Sequence, residues 1–108
     1  MTFAAVFSYE VDPGEAVAFE AVYGADGEWA RFFRGGDGYL GTELLRAAGR
    51  DGLRYLVIDR WRSAAAYEGF LADHEDEYAR RSRATERRYR GETVVGRFEV
   101  LPGPPAAP

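Results

Sequence analysis

The chain has 108 residues and a formal net charge of −4, and it contains no Cys, Lys, Asn or Gln. These absences exclude disulfides, thiolate and Schiff-base lysine chemistry, and zinc sites built on Cys or on several His, because His74 is the single histidine. One domain of this size buries about two-thirds of its unfolded surface, and the acidic balance argues against nucleic acid as a partner.

The opening MTFAAVFSYEV alternates like a strand over residues 3–11 and lacks the basic start of a signal peptide. No apolar run reaches the ~20 residues of a membrane span, so a cytoplasmic protein with no membrane partner is expected. Asp12-Pro13-Gly14-Glu15 reads as a helix start, with Asp12 as N-cap, Pro13 at the first position and Glu15 at the third. Ala16, Phe19, Val22 and Tyr23 form the apolar face of that helix, and Gly24 is placed to end it. Asp26 then caps a short second segment carrying Trp29, Phe32 and Phe33, before the turn GGDG at 35–38.

Residues 39–47 and 53–61 read as two strands joined by a hairpin with Asp51-Gly52 near its tip. Ser63 caps a long helix reaching toward Gly91, with Tyr67, Phe70, Leu71, His74 and Tyr78 on one stripe and acid-first pairs Asp76/Arg80 and Glu77/Arg81 on another. Residues 92–101 supply a last strand, so one domain spans 1–101, and the Pro-rich tail at 102–108 is expected to be disordered. The order β-α-β-β-α-β predicts an α+β, ferredoxin-like fold: a four-stranded antiparallel sheet with two helices on one face.

Three motifs carry less than they suggest. Gly36-Asp37-Gly38-Tyr39-Leu40-Gly41 matches GxGxxG, but it lies between a helix and a strand, the reverse of the order that brings a dinucleotide phosphate to a helix N-terminus. His74-Glu75 lacks the second His of a metalloprotease helix, and Asp73 to Glu77 reads as a solvated acidic face, so no metal site is expected. RRSRATERRYR at 80–90 reads as the solvated end of a helix, where Arg suits the negative pole of the dipole.

Strand parity places Ala5, Phe7, Tyr9, Leu40, Thr42, Leu44, Leu56, Ile58, Val94, Phe98 and Val100 under the helices. The opposite face then carries Val6, Ser8, Glu10, Tyr39, Glu43, Tyr55, Val57, Asp59, Trp61, Val95, Arg97 and Glu99. An aromatic face of this kind needs a cover, and a second copy of the sheet supplies one. The expectation is a homodimer joined through its sheet faces, with either a ligand cavity or a dry core between them.

The run YLVIDRWRSAAAYEGFLADH resembles the third strand and second helix of the antibiotic biosynthesis monooxygenase family. Trp61, Ser63, Ala66-Tyr67 and His74 fall on that family's pattern, and GYLGTELL at 38–45 is similar to its second strand. The resemblance spans residues 3–101 and implies a homodimeric α+β barrel. In some members it also implies oxygenation of a flat phenol, hydroquinone or anthrone-type substrate with no cofactor. On that reading His74, Trp61 and Arg97 are the candidate catalytic residues, with His74 as base and Arg97 stabilising the anion. Tyr39, Tyr55, Trp29, Phe33, Glu10, Glu43 and Asp59 are the candidate substrate contacts, the three acids doubling as alternative bases. The Trp29–Phe33 segment reads either as a lid on the cavity or as a satellite core. Haem-degrading members carry their iron-ligand His further along the second helix, where this chain has Arg around position 81. A non-catalytic ligand-binding or structural dimer, and a cyclase or isomerase on the same barrel, are the rival readings.

Overall fold

The computed structural model describes residues 2–47 and 53–103; the expected hairpin tip at Asp51-Gly52 and most of the tail lie outside them. The elements are β1 (Thr2–Val11), α1 (Ala16–Tyr23), α2 (Glu28–Phe33), β2 (Tyr39–Ala47), β3 (Leu53–Trp61), α3 (Ala64–Asp73), α4 (Glu75–Thr85) and β4 (Gly91–Val100). All strand pairs are antiparallel, in the order β2-β3-β1-β4. This is the ferredoxin-like arrangement that the element order predicts.

Local chemistry explains most of the boundaries. Ser63 Oγ accepts the Ala66 amide at 3.1 Å and starts α3 as a side-chain cap. Asp12 does not cap: Pro13–Glu15 forms a 3-10 turn, and the Asp12 carboxylate pairs with Arg90 at 3.2 Å. Asp26 likewise pairs with Arg34, leaving Gly27 at the N-cap of α2. Gly24 ends α1 with φ −71°, so no left-handed cap is used.

The single long helix expected after Ser63 is two. His74 leaves helical geometry (φ −125°, ψ 31°) between α3 and α4, and its Nδ1 donates to the Phe70 carbonyl at 2.9 Å. A side chain that bonds the carbonyl one turn back bends a helix at that point. The α4 helix then closes with a 3-10 turn at Glu86–Arg88. Of the two expected ion pairs on this face, Glu77–Arg81 forms at 2.9 Å.

The expected faces of the sheet need correction, most of all in β3. Register pairs Phe3 with Trp61, Ala5 with Asp59, Phe7 with Val57 and Tyr9 with Tyr55. Directly paired residues share a face, so Tyr55, Val57, Asp59 and Trp61 lie under the helices, and all four are buried. Leu56 and Ile58 lie on the open face instead, opposite Leu45 and Glu43.

Two bulges shift β2 and β4. In β2 the register slips between Tyr39 and Gly41, with Gly41 at φ +139°. In β4 it slips opposite Val6/Phe7, with Gly96 at φ +152°. Each glycine reaches a φ that a side chain disfavours, and each extra residue inverts the alternation beyond it. Tyr39 therefore turns to the core while Leu40 is exposed. Arg97 and Glu99 turn to the helix side, opposite Ala5 and Phe3, while Phe98 and Val100 turn to the open face.

Candidate functional site

Because the aromatics of β3 sit under the helices, the hollow of this fold lies between sheet and helices within one chain. It is not formed by the bare aromatic sheet face expected from parity. A cavity of about 280 Å³ is walled by Phe7, Val57 and Asp59 from the central strands, Thr42 from β2, Trp29 and Phe33 from α2, and Tyr78 and Ser82 from α4. Five of the seven tyrosines line it: Tyr9, Tyr23, Tyr67, Tyr78 and Tyr89. The rings interlock, with Tyr9–Tyr23 centroids at 4.8 Å, Tyr9–Tyr89 at 5.0 Å and Trp29–Tyr78 at 5.3 Å.

One acid is buried in this wall. Asp59 is 5% exposed, and desolvation pushes its carboxyl up to about 6, against the opposing effect of a hydrogen bond from Thr42. Thr42 Oγ1 donates to Asp59 Oδ1 at 2.6 Å, and the Tyr39 hydroxyl donates to Thr42 Oγ1 at 2.6 Å. Asp59 Oδ2 receives no hydrogen bond among the described residues. The result is a carboxylate held by one oxygen and free at the other, at a pKa suited to accepting a proton near neutral pH. Toward the exposed end the Tyr9 hydroxyl donates to Glu92 Oε2 at 2.6 Å, and Glu86 stands at the same end. Burial pushes Tyr9 and Tyr67 up strongly and Tyr23 to about 12, so these phenols stay protonated and act as donors.

The sequence candidates divide sharply. Trp29, Phe33 and Asp59 line the cavity. The α2 segment is both wall and core, since Trp29 and Phe33 also belong to the main buried cluster. Tyr39 reaches the site only through Thr42.

The others lie elsewhere. Trp61 is fully buried among Phe33, Tyr39, Tyr67 and Phe70, and is core. Tyr55 stacks near Phe19 and donates to Glu20 at 2.5 Å. His74 stacks on Phe70 at 4.1 Å and opens onto a separate outer groove with Asp37 and Arg62. Arg97 pairs with Glu68 at 2.7 Å above the Tyr67 ring. Glu43 pairs with Arg60, its diagonal neighbour across the open face, and Glu10 is exposed on that same face. Candidates missed in the sequence are Thr42, Tyr9, Tyr89 and Glu92. Tyr9 and Thr42 were placed correctly under the helices, but no spacing marks them as a site until their strands pair.

The comparisons bear on this arrangement. The family model described as antibiotic biosynthesis monooxygenase matches residues 2–75. SnoaB, a cofactor-independent oxygenase from Streptomyces nogalater, has a similar structure: TM-score 0.66 at 26% identity, covering 97% of this chain and 96% of that one. A protein from Deinococcus radiodurans, described as a putative antibiotic biosynthesis monooxygenase, superposes with TM-score 0.71 at 14% identity over the full length of both chains. A variant of MhuD with two manganese protoporphyrin IX bound per active site gives TM-score 0.69 at 23% identity, covering 96% and 99%. No match was found among curated proteins.

A porphyrin of that kind does not suit this cavity. Among the described residues, no His lines it to serve as an axial ligand and no Arg lines it to pair with propionates.

Proposed function

The chain belongs to the antibiotic biosynthesis monooxygenase family, and from that premise we propose that it is a cofactor-independent oxygenase of a flat phenol, hydroquinone or anthrone. The observation that carries the reading is Asp59: a buried carboxylate with a raised pKa and one free oxygen, facing an aromatic cavity. Trp29, Phe33 and the tyrosine rings sandwich the substrate. Asp59 Oδ2 takes the proton from its acidic C–H or O–H, and Thr42 holds the carboxylate in place. The resulting anion gives electrons directly to dioxygen. For an anthrone, one ring methylene and one dioxygen give one ring carbonyl and one water. The carbon loses both hydrogens and is oxidised; one oxygen atom enters the new carbonyl, and the other leaves as water with those two hydrogens. Closely packed rings keep bulk water from the anion.

The active form is a homodimer closed through the open sheet faces. Phe98 is 47% exposed there, and Leu45, Leu56, Ile58 and Val6 lie on the same side. Exposed apolar residues grouped on one face call for a cover, and its own twofold-related copy is a self-complementary one.

The test is oxygen uptake with a panel of anthrones and hydroquinones, comparing the native protein with Asp59→Asn. Turnover by the native protein and a loss of about 100-fold or more in the variant are expected. If no panel member consumes oxygen, or if Asp59→Asn turns over normally, the reading fails.

A further inference from the structure

The charge pattern of the cavity is one-sided. Asp59 stands at its buried end, Glu86 and Glu92 stand at its exposed end, and among the described residues no Arg or His side chain lines it. Arg83 and Arg87 flank Glu86 in sequence but are not among the lining residues, and three neighbouring cations are committed elsewhere. Arg88 pairs with Glu15 at 3.2 Å, Arg90 pairs with Asp12 at 3.2 Å, and Arg81 pairs with Glu77 while lying over the Phe32 ring.

Among the described residues, no Arg lines the cavity beside these two mouth carboxylates. Glu92 is held there by the Tyr9 hydroxyl. Tyr78 and Tyr89, both half-buried, add ring faces beside the acids. After burial, the charge of Glu92 is the next largest influence raising the phenol pKa of both rings, so its field reaches across the mouth. Acids with aromatic faces and no competing cation make up the chemistry that recognises an ammonium group.

We propose that this cavity takes a phenolic ring system whose far end carries a protonated amine at Glu86 and Glu92, and that it rejects ring systems carrying a carboxylate there. The inference rests on the substrate-binding reading of the cavity given above. Selection operates twice: the amine gains two carboxylates and two ring faces, whereas a carboxylate meets two like charges at the mouth, with Asp59 a third at the far end. Glu86 and Glu92 are then specificity residues, separate from the proton acceptor Asp59.

Calorimetric titration at low ionic strength tests it with three 1-naphthols bearing 4-aminoethyl, 4-ethyl or 4-carboxyethyl groups. The aminoethyl compound is expected to bind about 10-fold more tightly than the ethyl compound, and the carboxyethyl compound more weakly than either. In the Glu86→Gln/Glu92→Gln variant the aminoethyl and ethyl affinities converge, while Gln still accepts from Tyr9. Equal or tighter binding of the carboxyethyl compound by the native protein overturns the charge selection and leaves the oxygenase reading standing. Failure of all three to bind overturns the cavity as a substrate site, and the charge selection with it.

Discussion

Thr42 and Asp59 are direct partners across β2 and β3, and their side chains meet at 2.6 Å on the helix side of the sheet. This single cross-strand pair makes a buried acid tolerable. It supplies one hydrogen bond to one oxygen and leaves the other open to the cavity. It also ties the acid to Tyr39, itself wedged between Phe33 and Trp61. The position of the acid is therefore fixed by both sheet register and aromatic packing.

The raised pKa of Asp59 makes stability depend on pH. Folding favours its protonated form, because the folded value is about 6 against 3.8 unfolded. Its contribution is fully present below the unfolded value and is lost as pH rises through about 6. The shift corresponds to about 3 kcal/mol. Asp59→Asn is neutral throughout, so its advantage over the native protein should be near zero below pH 4 and grow to about 1–3 kcal/mol by pH 7. Urea denaturation of both proteins across that range measures it; a difference that does not change with pH would contradict the assignment.

Thr42→Val removes the one hydrogen bond to the Asp59 carboxylate among the described residues, and the acceptor for Tyr39, while keeping the shape of the side chain. A loss of about 1–3 kcal/mol at neutral pH is expected. The hydrogen bond lowers the Asp59 pKa, so its removal should move the acidic limb of the oxygen-uptake profile to higher pH. An unmoved limb would show that some other group sets it.

Trp29 serves as both core and wall. Trp29→Ala should cost about 3–5 kcal/mol, as large aromatic truncations in cores do. Trp29→Phe keeps most of the packing, and calorimetry should show weakened naphthol binding in a folded protein. Unchanged affinity would assign the ring to the core alone.

His74 faces away from the cavity, stacked on Phe70 and edge-on to Phe32. His74→Gln should leave kcat/KM for oxygen uptake within about twofold, without altering its pH profile, since no proton passes through the ring. A large loss with a shifted profile would return His74 to the role that its sequence position suggests.

The open sheet face is tested by charge. Phe98→Arg places a cation on the open face proposed as the interface. Sedimentation equilibrium should report a dimer for the native chain and a monomer for the variant, with both retaining native circular dichroism. A monomeric native protein would refute the sheet-to-sheet dimer.

Local pattern alone determined the element order, the limits of β2 and β3, the Ser63 cap and the excluded chemistries. Each depends on residues a few positions apart, where turn chemistry and helix or strand period act directly. It also marked Trp29, Phe33 and Asp59 as candidates. Tertiary structure alone decided which side of β3 is buried. Both parities of LRYLVIDRW are apolar enough to face a core, and a two-residue period cannot choose between Leu56 with Ile58 and Tyr55 with Trp61. The choice comes from pairing with β1, from the rings of α1, α2 and α3, and from the hydroxyl of Thr42 opposite Asp59. The bulges at Gly41 and Gly96 then invert the alternation partway along two strands, which turned Arg97 to the helix side, where it pairs with Glu68, and exposed Phe98 on the open face. Those are long-range and conformational facts, and they carried the cavity from the sheet's open face to the space beneath its own helices.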